Sequence, residues 1–311
     1  MTDNRVGVLV MSYGTPNSFE EVEAYYTHIR RGIPPSPEQL QALMARYEAI
    51  VGGFFPLRRN TDNQVAALQQ TLQRDYPAVD YVCVQGLKHA APFIEDGVEE
   101  IAAAGIRRAV GIVLAPHYSR MSIGGYIERA RKKAEETGVA IRFVKSYHDH
   151  PLLIEALAER VKLGLERFPP DKRAQVRVIF TAHSLPAHIL DMHDPYPQQL
   201  METSRLVAET AGVTNWQFAW QSAGQTGVPW LGPDILEVLE TVNREEGVNE
   251  VLICPVGFVS DHLEILYDID IECRRLAQSL GIHLERTEML NADAKYMKLL
   301  ADTVHRTAEE G

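Results

Sequence analysis

Three carboxylate side chains recur at intervals of four residues late in the chain. Glu264, Asp268 and Glu272 follow an apolar run that stops at Pro255-Val256-Gly257. On an α-helix this spacing places all three on one flank, each about 6 Å further along the axis. Like charges four residues apart destabilise an isolated helix by roughly a few tenths of a kcal/mol per pair. Water, a basic partner or a cation must therefore offset the repulsion within this acidic row.

Two interpretations of the acidic row follow from its position. The row begins beyond the carboxyl end of a predicted strand, where open α/β sheets bind their ligands, and this favours a cation site. Alternatively, Asp261 and Glu264 form a capping box at the start of a helix whose acidic face is solvated, which is the commoner case. The row alone leaves both interpretations open.

His183 is the second candidate for chemistry. It ends another predicted buried strand and precedes a turn that Pro186 fixes. Imidazole binds borderline divalent metals and transfers protons near neutral pH, although structural histidines are more frequent than functional ones. With Glu264 on a neighbouring strand end, the two residues form a nitrogen and oxygen pair suited to Fe(II) or Zn(II), with coordination positions left open. The pair is stronger evidence than either residue alone.

Arginines and aromatic residues cluster in the first half of the chain. They lie on or after the predicted helices there: Arg30, Arg31, Arg46, Tyr47, Arg58 and Arg59. An arginine at a helix carboxyl end suits the helix dipole, which is the favoured interpretation for Arg31. A hydrophobic lip surrounded by arginines would instead fit a flat apolar ligand that bears carboxylates. Residues 52–57 are predicted to be an exposed apolar loop. Its Phe54 and Phe55 are assigned to core or cleft packing, with contact to a membrane or a partner as the alternative.

The overall composition narrows the class of protein. A chain of 311 residues, 45% of them hydrophobic, can bury a full core in one large or two medium domains. A net charge of −11 disfavours sequence-independent binding to nucleic acid. The three cysteines are far apart, which is typical of a reducing cytosol without a disulfide framework or a zinc ribbon. No signal peptide is visible and no apolar run approaches the ~20 residues of a membrane span, so we expect a cytoplasmic protein.

Predicted strands and helices alternate along the chain, and the pattern restarts near its middle. Residues 8–16 resemble residues 178–186, and residues 113–116 resemble residues 252–255. These repeats predict an α/β fold of two similar Rossmann-like halves, each a four-stranded parallel sheet flanked by helices.

The predicted boundary between the halves lies at residues 148 and 149. The first half, 1–148, carries the arginines and the apolar lip, and the second, 149–311, carries the histidine and the acidic row. We expect the active cleft between the halves, with Tyr13 and His183 at equivalent lips. The last helix is assigned to the second half, with packing against the first half as the alternative.

Several common catalytic and nucleotide-binding motifs are missing. The chain contains no G-x-G-x-x-G after its first strand, no G-x-x-x-x-G-K-[ST] and no H-E-x-x-H. Ser222 comes nearest to the serine of a G-x-S-x-G elbow but has Trp220 at the first glycine position. The sequence therefore lacks the usual evidence for binding a dinucleotide or a nucleoside triphosphate. It also lacks the usual evidence for a serine hydrolase or a zincin.

Eight segments, taken together, resemble the ferrochelatase family. They run nearly end to end in the same order: VMSYGTP at 10–16, YYTHIRRG at 25–32, GLKHAAPFIEDGV at 86–98, LAPHYS at 114–119, TAHSLP at 181–186, DPYPQQL at 194–200, WQSAGQTGVPWLGPD at 220–234 and PVGFVSDHLEILYDIDIEC at 255–273. Within the family, the chain resembles the short, soluble coproporphyrin III ferrochelatases of Gram-positive bacteria.

The resemblance implies insertion of Fe(II) into a porphyrin as two pyrrole protons leave. This is a lyase reaction that forms nitrogen–metal bonds in heme biosynthesis, and its expected substrate is coproporphyrin III, giving coproheme. The alternatives are a ferrochelatase acting on protoporphyrin IX, a cobalt chelatase and a non-catalytic tetrapyrrole carrier. The two-half chelatase fold of the family is the one that the internal repeats indicate independently.

The resemblance also assigns roles to residues by position. His183 and Glu264 are expected to be the catalytic, metal-handling pair, and Asp268 and Glu272 continue the path for metal or protons. Tyr13 is expected at the porphyrin face, as an axial contact to iron in the product. The remaining porphyrin-contacting or cleft positions are Arg30, Arg46, Tyr47, Phe55, Lys88, His89, Tyr126 and Trp230. A propionate hydrogen bond from the loop at 52–57 loses support, because family members often carry a small polar residue where this chain has Phe54-Phe55.

Expected ligands and partners follow from the same resemblance. No tightly bound cofactor is expected, because Fe(II) is a substrate; a second divalent ion, Mg²⁺, is the one addition considered, near Asp268 and Glu272. The expected partners are the porphyrin and ferrous iron, with transient contacts to other enzymes of heme synthesis. Neither nucleic acid binding nor a membrane span is expected, and the chain is expected to be a monomer.

Overall fold

Two parallel β-sheets of four strands each form the framework of the chain in a computed structural model. The structure describes residues 4–51, 55–224 and 226–310. The first sheet has the order β2-β1-β3-β4 and is built from β1 (Arg5–Ser12), β2 (Asp80–Leu87), β3 (Arg108–Val113) and β4 (Ala140–Phe143). The second has the order β6-β5-β7-β8 and is built from β5 (Arg177–His183), β6 (Trp216–Gln221), β7 (Glu250–Cys254) and β8 (His283–Arg286).

The internal repeat predicted from the sequence is confirmed by this topology. β1 and β5 occupy the same place in their sheets, and so do β3 and β7. The segments whose sequences resemble one another begin within these four strands and run past their carboxyl ends. The prediction of two four-stranded parallel sheets flanked by helices is therefore confirmed.

Ten α-helices, counted within the described ranges, surround the sheets. In chain order they are α1 (Val22–Ile29), α2 (Pro37–Val51), α3 (Pro56–Asp75), α4 (Ile94–Ala103), α5 (Ile123–Thr137), α6 (Pro151–Glu166), α7 (Tyr196–Ala211), α8 (Ile235–Arg244), α9 (Arg274–Leu280) and α10 (Ala294–Glu309). Short 3₁₀ turns lie at Phe19–Glu21, Arg173–Gln175 and Ala187–Ile189, and a π-helix spans Glu264–Cys273.

The chain groups into two compact units. Unit 1 comprises residues 1–147, 260–262 and 291–311, and unit 2 comprises residues 148–259 and 263–290. Each unit contains one sheet. Helix α10 packs in unit 1, where the Tyr296 hydroxyl lies 2.9 Å from the Tyr147 hydroxyl and Asp302 accepts a 2.6 Å hydrogen bond from Tyr76.

Each unit has its own apolar core, as expected for strands buried on both faces. In unit 1, Leu9 of β1 and Ile94 of α4 are fully buried in one cluster with Ile127 of α5. In unit 2, Ile179 of β5 and Ile253 of β7 are fully buried with Leu239 of α8. Burying one such side chain stabilises a fold by roughly 1.5–3 kcal/mol, so these clusters hold the strand ends in place.

The predicted exposed loop at 52–57 is wrong where the structure describes it. Helix α3 begins at Pro56, and Pro is favoured at the first position of a helix because its missing N–H has no intrahelical partner there. Phe55 is only 4% exposed and its ring lies 4.8 Å from that of Tyr47 and 5.4 Å from that of Phe19. Phe54, the other residue in that prediction, lies outside the described residues.

The segment after β7 is not the α-helix that the sequence predicts. Residues Glu264–Cys273 form a π-helix, in which hydrogen bonds join residues five apart, and the Arg274 N–H accordingly donates to the Ile269 carbonyl. A π-helix has roughly 4.4 residues per turn, so spacings of four still fall on one flank. The wider helix rises less per residue, so the steps along the acidic row are shorter than in an α-helix. Regular α-helix resumes only at α9.

Candidate active site

His183 is the last residue of β5 and lies half-buried at the carboxyl end of the second sheet. Its Nδ1 is 2.5 Å from the Ser184 carbonyl oxygen. A carbonyl oxygen can only accept a hydrogen bond, so Nδ1 carries the proton in the neutral ring. The lone pair then lies on Nε2, which is the atom that can accept a proton or bind a metal.

Three contacts fix the backbone around His183. The buried Tyr196 hydroxyl donates to the His183 carbonyl oxygen at 3.1 Å, and burial raises the pKa of Tyr196, so that hydroxyl stays protonated. The Gly257 N–H donates to Thr181 at 3.1 Å. A side chain at Gly257 would place its Cβ 2.3 Å from that of Ala182, so only glycine permits this turn to pack on the end of β5.

Trp230 lies close to the His183 end of the second sheet. The ring centroids of Trp230 and His183 are 6.4 Å apart, and Trp230 pairs with Pro186 in an antiparallel bridge. Its indole N–H donates to Thr226 at 2.8 Å, and its ring covers Gly224, where an added Cβ would lie 2.4 Å from it. The structure therefore brings this predicted residue beside His183 within unit 2.

The acidic row is not a solvated face. Asp268 is only 7% exposed, and Glu264 and Glu272 are half-buried. The capping-box interpretation is also wrong, because the residue before the π-helix is Leu263 and no side chain caps it. Asp261 is instead hydrogen-bonded to Asn291. A buried carboxylate needs hydrogen bonds or a cation, which strengthens the case for a functional role of the row.

Two residues that the sequence analysis missed hold the acidic row. The Gln221 side chain donates to the Glu264 carbonyl at 3.1 Å, and the Ser222 hydroxyl donates to the Asp268 carboxylate. Ser222 has a φ of +60°, a left-handed conformation that costs a non-glycine residue roughly 1–2 kcal/mol. The sequence held one signal for this role, which is their position. Both are polar residues directly at the carboxyl end of β6, a strand that neighbours β5.

The predicted metal residues do not form one closed cluster. Within residues 4–51, 55–224 and 226–310, no three His, Cys, Asp or Glu side chains come close enough together to hold a metal ion. The metal-handling roles of His183 and the acidic row stay a prediction. Mg²⁺ binds through one or two carboxylates and several waters, a donor set that Asp268 and Glu272 can supply, so the Mg²⁺ site also stays a prediction.

Tyr13, His89 and His28 form a ring cluster at the carboxyl end of the first sheet. Tyr13 follows β1, is 41% exposed, and its ring centroid lies 4.6 Å from that of His89. The Nδ1 atoms of His89 and His28 are 3.0 Å apart, so one donates and the other accepts. Burial, with the charges of Lys88 and Arg129 and contact with His28, lowers the pKa of His89 to about 3. His89 is therefore neutral near pH 7.

Lys88 is held from two sides by helix α5. Its ammonium lies 4.8 Å from the centre of the buried Tyr126 ring, within the range of a cation–π contact. Arg129, one turn further along, donates to the Lys88 carbonyl at 2.6 Å and forms a two-pronged ion pair with Glu95 at 2.7 and 2.6 Å. Burial and the charges of Arg129 and Arg31 lower the pKa of Lys88. A ligand carboxylate beside this ammonium would be stabilised.

Tyr47, Phe55 and Arg46 lie near the turn that follows β1. The Tyr47 hydroxyl lies 3.4 Å from the Thr15 hydroxyl, and the rings of Tyr47 and Phe55 are in contact. Arg46 precedes Tyr47 on α2 and is half-buried. Arg30 differs from these residues, because its Nε donates to Ile33 at 3.2 Å within its own turn at the end of α1. Their roles in substrate binding stay a prediction.

The helices of the structure can also be compared with the thickness of a membrane. In the part of the chain that the structure describes, none of them is both long enough and apolar enough to cross a bilayer. This agrees with the hydropathy of the sequence.

Comparison with known proteins identifies the family. The ferrochelatase family model matches residues 5–308. The coproporphyrin III ferrochelatase of Halalkalibacterium halodurans is 45% identical over 311 residues, which are 100% of this chain and 99% of that protein. Its counterpart in Geobacillus thermodenitrificans is 44% identical over 313 residues, again 100% and 99% of the two chains.

A solved structure shares the fold at low sequence identity. The sirohydrochlorin chelatase SirB of Bacillus subtilis subspecies spizizenii, in complex with cobalt, has a TM-score of 0.58 and 14% identity over 98% of this chain and 96% of that one. At this identity the likeness concerns the fold alone. The match of the family model over nearly the whole chain and the full-length relatives above show that the chain belongs to the ferrochelatase family.

Proposed function

We propose that this protein inserts Fe(II) into coproporphyrin III and so forms coproheme in heme biosynthesis. The full-length relatives named coproporphyrin III ferrochelatases support the choice of substrate. One observation of the structure carries the chemistry: the Nδ1 proton of His183 is held by the Ser184 carbonyl, which leaves the Nε2 lone pair available. A neutral imidazole in this tautomer can accept a pyrrole proton or present a metal ion.

The reaction is an exchange of one Fe(II) for two protons. Two pyrrole N–H bonds break, two protons leave, and four nitrogen–iron bonds form, with no change in oxidation state. His183 Nε2 takes one proton, and the imidazolium that results is stabilised by the hydrogen bond from Nδ1 to Ser184. The carboxylates of the acidic row lower the cost of bringing a desolvated dication to the porphyrin, and they provide sites for the departing protons.

Unit 1 supplies the groups that suit the porphyrin itself. Lys88 and the arginines Arg30 and Arg46 are cations for the propionates of the substrate, and Arg can bind a carboxylate in bidentate fashion. Tyr13 presents an exposed aromatic side chain for the ring face and a hydroxyl for an axial contact to iron in the product. Apolar burial of the macrocycle supplies most of the binding energy, at roughly 25 cal/mol per Å².

The proposal extends to cellular context. A net charge of −11 and three separated cysteines support a monomer in a reducing cytoplasm, with transient contacts to other enzymes of heme synthesis. Size-exclusion chromatography with light scattering at micromolar concentration checks the oligomeric state. A stable dimer would contradict that part of the proposal without affecting the reaction.

The decisive experiment is anaerobic Fe(II) insertion followed by absorbance, with coproporphyrin III and protoporphyrin IX side by side. We expect clear preference for coproporphyrin III, because two additional propionates meet the cationic side chains of unit 1. Preference for protoporphyrin IX would keep the reaction and change the substrate. Insertion of Co(II) but not Fe(II) would indicate a cobalt chelatase, and stoichiometric binding without turnover would indicate a tetrapyrrole carrier.

A further inference from the structure

The π-helix is tied to the second sheet by an ion pair on the side away from the acidic row. Arg286, the last residue of β8, donates from Nε and Nη2 to the two carboxylate oxygens of Asp270, both at 2.8 Å. Its Nη1 also donates to the Thr287 carbonyl at 2.9 Å. The Arg286 and Asp270 side chains are 14% and 24% exposed, so the pair is largely shielded from water. A two-pronged contact of this kind fixes orientation as well as distance.

Asp270 is placed to control the helix without belonging to the acidic row. It lies two residues after Asp268 and two before Glu272. At roughly 4.4 residues per turn, two residues rotate the chain by roughly 160°, so Asp270 points away from the row. Gln221 and Ser222 hold the row side of the helix, and Arg286 holds the opposite side.

A π-helix of ten residues needs such external support. π-helices account for well under 1% of residues and occur mostly as single-turn bulges, because their hydrogen-bond geometry is less favourable than that of an α-helix. If the segment relaxed to an α-helix of 3.6 residues per turn, Glu272 would turn by roughly 145° relative to Glu264. The row would still lie on one flank, but it would wind around the helix in the opposite direction, so Glu272 would point differently relative to Glu264.

We propose that Arg286 is a positioning residue. Its two-pronged ion pair with Asp270 keeps residues 264–273 in π geometry and so sets the direction in which the carboxylates of the acidic row point toward iron. The inference rests on the proposed function, since it takes the acidic row to handle Fe(II). Arg286 binds Asp270, which is not one of the three carboxylates of the row. It acts through the backbone of the helix, as residues behind a metal ligand do when they orient it.

The test compares Arg286→Gln with Arg177→Gln. Arg177 is the first residue of β5, an interior strand of the same sheet; its side chain is 16% exposed and pairs with Glu246 at 2.8 Å. Both changes remove one shielded arginine from an ion pair of unit 2. We expect Arg286→Gln to raise the KM for Fe(II) about tenfold while the KM for the porphyrin stays within about twofold. Arg177→Gln should change neither KM by more than about twofold, although it lowers the melting temperature comparably.

Two further measurements separate positioning from general stability. Arg286→Lys keeps the charge and loses the fork, so its KM for Fe(II) should lie between wild type and Arg286→Gln. Asp270→Asn combined with Arg286→Gln should raise the KM for Fe(II) no further than the larger single effect, because either change alone already breaks the pair between Arg286 and Asp270. Equal KM effects in Arg286→Gln and Arg177→Gln, or a parallel rise in both KM values, would overturn the assignment.

Amide hydrogen exchange tests, independently of activity, whether the ion pair between Arg286 and Asp270 holds the π-helix. The Arg274 amide, which bonds to Ile269, and the other amides of residues 264–274 should exchange faster in Arg286→Gln than in Arg177→Gln. Equal exchange rates in the two variants would contradict the role of Arg286 in holding the π-helix, even if the enzyme is active. If the wild-type protein inserts no iron, the proposed function fails, and the exchange data alone decide whether Arg286 holds the π geometry.

Discussion

The two sheets have the same strand order but carry opposite chemistry beyond their strand ends. After β1, unit 1 presents Tyr13 with its cation-rich neighbours, whereas β5 of unit 2 ends at His183, the equivalent position in the repeat. After β3 comes the regular helix α5, and after β7 comes a π-helix that carries three carboxylates. The shared scaffold therefore does not determine the chemistry. The residues placed just beyond equivalent strands do.

This difference suggests a division of labour within the proposed reaction. Unit 1 offers cations and exposed aromatic surface, which suit a flat ligand with several carboxylates. Unit 2 offers an imidazole and carboxylates, which suit a dication and departing protons. Variants in the two units should then change different kinetic constants, and each prediction below tests that separation.

The largest effect is expected for His183→Ala. Removing the Nε2 lone pair should lower kcat for iron insertion by about 10²–10⁴-fold, the usual range for a general base, while the fold is kept. Initial rates from absorbance, with circular dichroism of the same sample, check this. His188→Ala is the control, because His188 is exposed on the neighbouring 3₁₀ turn. Near-normal turnover of His183→Ala would remove His183 from the mechanism.

A smaller effect is expected along the acidic row. Glu264→Gln should lower kcat by about 10²-fold, and Asp268→Asn by about tenfold, because asparagine can still accept the hydrogen bond from Ser222. Parallel rate measurements at saturating porphyrin decide the order. Equal and negligible losses would mean that the row is structural and does not handle iron.

Substrate binding should respond to unit 1. Lys88→Met keeps the apolar stem over Tyr126 and removes the charge, so the KM for coproporphyrin III should rise about tenfold with little change in kcat. Lys133→Met removes a lysine that pairs with Glu99 and Glu136 on the same unit and serves as the matched control. A loss of kcat without a change in KM would contradict the division of labour.

The smallest effect concerns stability against acid. The folded chain holds the pKa of His89 at about 3, against an ordinary value of 6.5, so below pH 6.5 the unfolded chain binds a proton that the folded chain excludes. The free energy of unfolding therefore falls as pH falls from 6.5 toward 3, and His89→Phe should make that fall shallower by about 1–2 kcal/mol. Urea unfolding at pH 7.5, 6 and 4.5 measures the slope. Identical slopes in both proteins would show that His89 is not buried as a neutral base.

Much of the fold could be predicted from the sequence, because two kinds of information are local. Continuous apolar runs mark strands that are buried on both faces, and the repeated sequences at β1 and β5 indicate equivalent positions. The start of helix α10 is a local signal of the same kind, because the Asp293 side chain caps it by accepting hydrogen bonds from the Lys295 and Tyr296 N–H groups. The segment at 52–57 was predicted to be an exposed loop because the helix signal of Pro56 was missed, whereas the packing role predicted for Phe55 agrees with its burial.

The site could be predicted only in part, because several of its contacts depend on tertiary structure. A spacing of four residues lies on one flank of an α-helix and of a π-helix alike, so the row at 264, 268 and 272 does not reveal the π geometry. The contact between His28 and His89 joins residues that are 61 positions apart. The tether from Ser222 to Asp268 requires a left-handed backbone that no local pattern signals.

The division of labour can be tested most directly by equilibrium binding without turnover. Coproporphyrin III would be titrated into wild type, His183→Ala and Lys88→Met without metal, with binding followed by porphyrin fluorescence. We expect His183→Ala to bind within about twofold of wild type and Lys88→Met to bind about tenfold more weakly. Wild-type affinity in Lys88→Met, or an equal loss in both variants, would contradict the separation of porphyrin recognition from metal chemistry.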